Sequence, residues 1–265
     1  MKLSIIVPAF NVAHVIDRCL RAVVEQVGLR RDIEVIVVDD ASTDDTVQHL
    51  THHPVTVIEC ASNGGSARSR NRGAQRARGT WLLFLDADVI LPAGLLTRLE
   101  RLIDDPSNAT DNTFQGVFTA DNQVPGLASA YYNYEQCYVQ LSMPRITHYV
   151  NTSLFCIRRD PFLSLGGFDE NLRLCEDTEF GLRWWKAGNT VRIVPELAVR
   201  HVKPATFFGV NRVLLVATLV AQAVRRKLRP TETESTQARP NPRTRRSCSI
   251  ATINTAFRSK DNRTW

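Results

Sequence analysis

Trp81-Leu82-Leu83-Phe84-Leu85-Asp86-Ala87-Asp88 is the stretch that decides how this chain is read. Five large apolar residues in a row make a short strand buried on both faces, as in a parallel sheet covered by helices. Two carboxylates, one residue apart, follow at once. In an open parallel sheet, ligands bind beyond the carboxyl ends of the strands, so Asp86 and Asp88 stand where a ligand would be met. Mg²⁺ and Mn²⁺ take oxygen ligands, typically one or two carboxylates completed by substrate phosphates. A D-x-D alone is short and common, and a solvated loop explains it equally well. Its weight comes from its surroundings.

Toward the N-terminus the same pattern of apolar strand and polar loop occurs twice more. Leu3 to Val7 reads as a buried strand closed by Pro8. Val12, Val15, Ile16, Leu20, Val23, Val24 and Val27 then recur at helical spacing, with Asn11 at the N-cap position. Glu34 to Val38 is a second strand ending in Asp39-Asp40, with Ser42 and Thr43 placed to cap a short helix. Val55 to Ile58 is a third strand, and Gly65 to Arg78, rich in Ala, Arg and Gln, reads as helix. This rhythm predicts βαβ units and an α/β fold with a mainly parallel sheet. Three loops, Pro8–Asn11, Asp39–Asp45 and Asp86–Asp88, then deliver polar groups to one sheet edge.

Toward the C-terminus the pattern is less regular. Strands are expected at Phe114–Thr119 and Asn151–Ile157, and an aromatic helix at Ala128–Leu141. A helix is expected over Glu176–Lys186, stopped by Ala187-Gly188. Two short strands, Val191–Val194 and Leu197–Val202, flank Pro195. The 12 apolar residues Val213–Val224 fall well short of the ~20 that span a bilayer. They read as a last core helix, or as a helix lying on a membrane with Arg225-Arg226-Lys227 as its basic flank. The expected organisation is one domain over 1–205, an apolar and basic helix over 206–229, and a disordered basic tail over 230–265.

The net charge of +6 does not point to nucleic acid, because it is not on the folded part. Arg225–Trp265 holds 11 Lys and Arg against 3 Asp and Glu, whereas the rest holds 22 basic and 24 acidic residues. A nearly neutral domain with a basic tail predicts no nucleic-acid partner; the tail reads as a solvated end. The 6 cysteines are scattered with no C-x-x-C pair, which suits neither a zinc site nor a disulfide framework. No signal-peptide pattern precedes the first strand. The expected location is the cytoplasm, with peripheral contact at the inner face of a membrane through 206–229.

Taken in order, these segments resemble family 2 glycosyltransferases. The likeness runs from about Leu3 to about Val202. Ser4-Ile5-Ile6-Val7-Pro8-Ala9-Phe10-Asn11 matches the opening strand and loop, with Phe10 where Tyr is usual. Val37-Val38-Asp39-Asp40-Ala41-Ser42-Thr43-Asp44 matches the second strand and its acidic turn. Asn63-Gly64-Gly65, Arg70-Asn71-Arg72-Gly73 and Gly79 match the segment before the D-x-D strand, with Ser69 where Ala is usual. Gly166-Gly167-Phe168-Asp169-Glu170 and Cys175-Glu176-Asp177 resemble the second-half signature.

The resemblance implies a Rossmann-like fold of GT-A type, with a mixed, mainly parallel central sheet flanked by helices, and an inverting transfer from a nucleoside diphosphate sugar, UDP being the usual carrier. It implies that Pro8, Ala9, Phe10 and Asp40 hold the nucleotide and that Arg70 and Asn71 lie toward the diphosphate; Arg68 and Arg72 are basic neighbours that match no family position. Asp88 would bind Mn²⁺ or Mg²⁺, Asp86 would be shared between ribose and metal, and His201 would complete the shell; a lone His is more often a structural residue. Asp177, with Glu176 second, would be the general base. Without the resemblance, Glu176 and Asp177 read as acidic residues that stabilise a first helical turn. Processive synthases of the family carry Gln-x-x-Arg-Trp, whereas Gly181-Leu182-Arg183-Trp184 has Gly in the place of Gln. One sugar per encounter is therefore expected, delivered to an unidentified glycan, lipid-linked or other hydroxyl acceptor. The aromatic run Tyr131 to Tyr138 is expected to shape the acceptor side or simply to pack. The alternative is a catalytically inactive nucleotide-sugar-binding or scaffold protein. A nucleotidyltransferase would carry a Gly-rich basic loop after the first strand, where Pro8-Ala9-Phe10-Asn11 stands.

Overall fold

A computed structural model describes residues 1–121 and 124–204. The helix expected over 206–229 and the tail expected over 230–265 lie outside the described residues. In chain order the elements are β1 (Leu3–Ala9), α1 (Ile16–Val27), β2 (Ile33–Asp39), α2 (Thr46–Leu50), β3 (Thr56–Glu59), α3 (Ser66–Arg76), β4 (Trp81–Leu85) and β5 (Val89–Ile90). There follow α4 (Leu95–Asp104), β6 (Thr113–Phe118), α5 (Leu127–Ser142), β7 (Ile146–Thr147), β8 (Leu154–Arg158), α6 (Arg159–Ser164), α7 (Glu176–Lys186) and β9 (Val191–His201).

The strands form one sheet in the order β3-β2-β1-β4-β8-β6-β9-β5, with β7 also on β9. The first four strands pair in parallel. From β4 outward the sheet is mixed: β8 runs antiparallel to both β4 and β6, and β6 runs parallel to β9. Side-chain alternation along each strand divides the core in two. Leu3, Ile5, Val7, Leu83 and Leu85 pack on the side of α1 and α4, with Leu20, Val23, Leu95 and Leu99. Ile6, Leu82 and Phe84 pack on the opposite side with Ala67 and Ala74 of α3. Both faces are covered, which is why β1 and β4 have no polar face to show water.

An aromatic cluster sets the second half of the molecule against this frame. Phe84 meets Phe162 and Phe168 at 5.1 and 5.3 Å between ring centroids, and Phe168 meets Phe180 at 5.1 Å. Phe180 and Trp184 lie on α7, so the ring contacts fix that helix beside the end of β4. Asn71 of α3 reinforces the join. Its amide donates to the Phe168 carbonyl (2.8 Å) and Glu170 (3.0 Å), and its oxygen accepts from Phe168 N–H (2.9 Å).

Three local expectations are corrected. α1 starts at Ile16, not at Val12, because Asn11 takes a left-handed turn (φ 52°) and its side chain accepts from Thr43 N–H instead of capping a helix. Ser42 and Thr43 do not cap α2, which begins at Thr46; Asp44 accepts the Thr46 N–H. β9 is one strand through Pro195, accommodated by a shift in register between Gln115 and Val117 of β6. Among the described residues, no helix is long and apolar enough to cross a membrane.

Candidate active site

The carboxyl ends of β1, β2 and β4 open onto a cleft with two lobes. One lobe, of about 440 Å³, is lined by Pro8, Ala9 and Phe10 after β1, Asp40 after β2, and Asp86 and Asp88 after β4. The other, of about 370 Å³, is lined by Asp177, Thr178, Tyr149, Tyr132 and His201 among others. Arg70, Asp86, Asp88 and Lys203 line both, so the D-x-D stands at their junction.

Arg70 is the centre of the junction. Its side chain is only 5% exposed and donates to Asp86 (2.7 Å) and to Glu176 (2.7 Å). It thus bridges the end of β4 and the first turn of α7. Burial pulls the guanidinium pKa down, but the charges of Asp86 and Glu176 outweigh it and raise the pKa. Asp86 is fully engaged, with Ser153 Oγ donating to its second oxygen (2.7 Å). Glu176 also accepts from Ser66 (2.6 Å).

Asp177 is different. Its recorded hydrogen bonds come from its neighbour Thr178, through N–H (2.6 Å) and Oγ1 (3.3 Å). Burial, then the charge of Glu176, pushes its carboxyl up to about 6, against the pull of Thr178 and Arg70. A carboxylate with that value accepts protons near neutral pH better than an ordinary aspartate does. Cys175 lines the same lobe, but burial and the two neighbouring carboxylates push its thiol up to about 11, which leaves it protonated.

Asp88 and His201 face each other across the junction, with Asp88 Oδ2 3.5 Å from His201 Nε2. The His201 ring stacks on Phe118 (4.6 Å, 11°), and its Nδ1 lies 3.2 Å from Asn133 Oδ1. The Asn133 amide nitrogen donates to the His201 carbonyl (3.1 Å), which leaves Asn133 Oδ1 to accept from Nδ1. Nε2 faces the Asp88 carboxylate, and a cation held between them would take a lone pair from each. Burial pulls Asp88 up, but His201, Lys203 and its own backbone amide outweigh it and hold the carboxyl below its usual range. The donor set, oxygen and imidazole with Asp86 adjacent, fits a divalent ion such as Mn²⁺.

The structure brings Pro8, Ala9, Phe10, Asp40, Arg70, Asp86, Asp88, Glu176, Asp177 and His201 to the cleft. Asn71 is the exception: it does not line either lobe, because both ends of its carboxamide are held in the Phe168 turn. Asp40 has a structural duty as well, since its two oxygens accept Gly64 N–H (2.9 Å) and Gly65 N–H (2.7 Å) and so anchor the start of α3. Of the basic residues, Arg173 and Lys203 line the first lobe beside Arg70, and Arg68 and Arg72 do not. Lys203, two residues beyond the end of β9, was missed by the sequence reading. Arg173, held by Asn63 (2.8 Å), carried no periodic signal. Tyr132 lines the second lobe, whereas Tyr131, Tyr134 and Tyr138 are exposed.

The family model for glycosyl transferase family 2 matches residues 4–163. The chain belongs to that family. An uncharacterized glycosyltransferase of Haemophilus influenzae is 30% identical over 183 residues, covering 68% of this chain and 61% of the relative. The Staphylococcus aureus poly(ribitol-phosphate) β-N-acetylglucosaminyltransferase TarS is 26% identical over 243 residues, covering 83% of this chain and 41% of TarS. The chain thus spans less than two thirds of the length of either. Among solved structures, the Pyrobaculum calidifontis mannosyltransferase PcManGT in complex with GDP-Man and Mn²⁺ superposes with a TM-score of 0.68 at 23% identity, over 87% of this chain and 65% of that one. S. aureus TarS 1–349 in complex with UDP-GlcNAc gives 0.63 at 20% identity, over 88% and 69%. The α/β fold of GT-A type is the one these structures share with family 2.

Proposed function

We propose that this chain is an inverting, metal-dependent glycosyltransferase that moves one sugar from a nucleoside diphosphate sugar, with UDP as carrier, to a hydroxyl of a cell-envelope glycan or glycolipid. The observation that carries the reading is Asp177. It is a carboxylate with a raised pKa in a lobe that shares Arg70, Asp86 and Asp88 with the lobe lined by the Pro8–Phe10 loop. That is the arrangement a base needs if it serves an acceptor next to a bound donor.

In this reading Phe10 stacks on the base, with Pro8 and Ala9 along its edge and Asp40 behind the glycine turn. Arg173 and Lys203 stand toward the diphosphate. Asp88 and His201, with Asp86 beside them, hold the divalent ion, which when bound neutralises charge on the diphosphate leaving group. Asp177 takes the proton of the acceptor hydroxyl as its oxygen bonds to the sugar C1. The bond from C1 to the diphosphate oxygen breaks on the opposite face, and the anomeric centre inverts. Glu176 keeps Arg70 in place and is a positioning residue, not the base. UDP is argued from the UDP-GlcNAc bound to TarS, a polymeric hydroxyl acceptor from the poly(ribitol-phosphate) in the name of TarS, and Mn²⁺ from PcManGT. Residues 206–229 would bring the enzyme to an anionic membrane surface.

Thermal unfolding against a panel of nucleotide sugars, with and without Mn²⁺, tests the donor site. A ligand at ~100 times its dissociation constant adds about 2.7 kcal/mol. The reading expects a Mn²⁺-dependent rise with one UDP-sugar that disappears in Asp88→Ala. No rise with any nucleotide sugar, or a rise that survives Asp88→Ala, would refute it.

A further inference from the structure

Away from the cleft, three of the chain's 6 histidines fall within five residues, His49, His52 and His53. His49 is in α2 and the other two are in the turn after it. All three converge on Asp17 of α1. His49 Nδ1 lies 2.6 Å from Asp17 Oδ2, and His53 Nε2 lies 2.8 Å from Asp17 Oδ1. His52 sits edge-on to His49, with 6.2 Å between ring centroids. One ligand atom from each of Asp17, His49 and His52 lies within 4.8 Å of the others.

We propose that Asp17, His49 and His52 form a binding site for a zinc-class divalent ion, separate from the D-x-D. The donor set decides the ion class. Two imidazoles and one carboxylate suit Zn²⁺, Co²⁺ or Ni²⁺, and select against Mg²⁺ and Ca²⁺, which take oxygen. Three protein ligands leave a fourth position for water. His53 has the complementary role: it holds the second oxygen of Asp17 and orients the carboxylate, as groups behind metal ligands commonly do. The cluster is partly open to solvent, so an ion can enter without unfolding the chain.

The position suggests the consequence. α1 and α2 each follow one of the loops that line the nucleotide lobe. Those loops are already laced together through Asn11 N–H to Ser42 Oγ (3.0 Å), Val12 N–H to Thr46 Oγ1 (2.8 Å) and Ala13 N–H to Asp44 (3.2 Å). An ion shared by Asp17, His49 and His52 staples the same two helices on their outer side. It stabilises the fold and takes no part in transfer.

The test uses the full chain carrying Asp88→Ala, which removes the main ligand of the D-x-D, titrated with Zn²⁺ against a chromophoric chelator. One equivalent of Zn²⁺ is expected to bind and to raise the melting temperature, and a thousandfold excess of Mg²⁺ is expected not to displace it. Co²⁺ should give the visible band of a four-coordinate site. His52→Ala, whose ring is exposed and whose ion-free melting temperature should equal the parent's, is expected to lose at least tenfold in affinity, and His49→Gln likewise. His53→Gln is expected to lose on the order of 10- to 100-fold. Absence of Zn²⁺ binding in the Asp88→Ala chain, displacement by Mg²⁺, or unchanged affinity in both His52→Ala and His49→Gln would overturn the proposal; Asp17 and its histidines would then be a hydrogen-bonded cluster with no ion.

Discussion

Asp177→Asn should make the protein more stable while removing its activity. The substitution keeps the shape and an oxygen to accept the Thr178 N–H, held at 2.6 Å in the parent. What it deletes is a charge the fold disfavours. Burial and the neighbouring Glu176 raise the carboxyl from 3.8 to about 6, and at about 1.4 kcal/mol per pH unit this makes the ionised form about 3 kcal/mol less favourable folded than unfolded. The sign follows from where the proton is held more tightly. A carboxyl raised on folding contributes stability below pH 3.8, and that contribution is lost as the pH rises through about 6. Parent and variant should therefore have similar stability near pH 4, and the variant should lead by about 2 to 3 kcal/mol near pH 7. Urea unfolding in EDTA at pH 4, 5, 6 and 7 measures the gap, and the same preparations give turnover. Loss of a general base lowers turnover by roughly 10²- to 10⁴-fold, with donor affinity nearly unchanged. A gap that does not widen between pH 4 and 7, or an Asn variant that turns over normally, would refute the assignment.

Three further outcomes follow from the same geometry. Phe10→Ala should weaken nucleotide binding, since Phe10 is 44% exposed in the lobe and has little packing to lose; base stacking of about 1–3 kcal/mol predicts a rise of roughly 5- to 150-fold in donor KM without a matching fall in kcat. Arg70→Met, which leaves Asp86 and Glu176 facing each other without their shared cation, should lower stability in urea by about 3–5 kcal/mol; Arg70→Met/Glu176→Gln should recover part of that loss. Gly79→Ala should cost about 1–3 kcal/mol in the same assay, because an added Cβ would lie 2.6 Å from Ser4 N and 2.7 Å from the Leu3 carbonyl carbon, and backbone there has no room to yield.

β4 and α7 were legible to the residue because their limits are set locally. β4 is an unbroken apolar run that ends in charge, and α7 begins at an acidic turn and ends at Ala187-Gly188. The start of α1 was not, because hydrophobic spacing continues back to Val12 whereas the backbone is decided by Asn11 bonding across to Thr43. Nor was the unity of β9, since Pro195 reads as a break unless the neighbouring strand can shift register around it. In the site, the residues that end strands were readable from position alone. Resemblance pointed to Asn71 as a ligand residue, but tertiary packing uses it as a brace. Arg173 and the Asp17–histidine cluster depend on which loops come together, which local pattern does not encode.

The bridge from Asp86 through Arg70 to Glu176 also constrains how this chain can change over generations. Arg70 cannot be lost by itself without stranding two carboxylates that face each other. A lineage that drifts at Arg70 must pass through a poorly folding intermediate or alter one of the two carboxylates at almost the same time. The three residues are expected to be inherited as a block, with change confined to neighbours such as Ser66 and Ser153 that only trim the ends of the bridge.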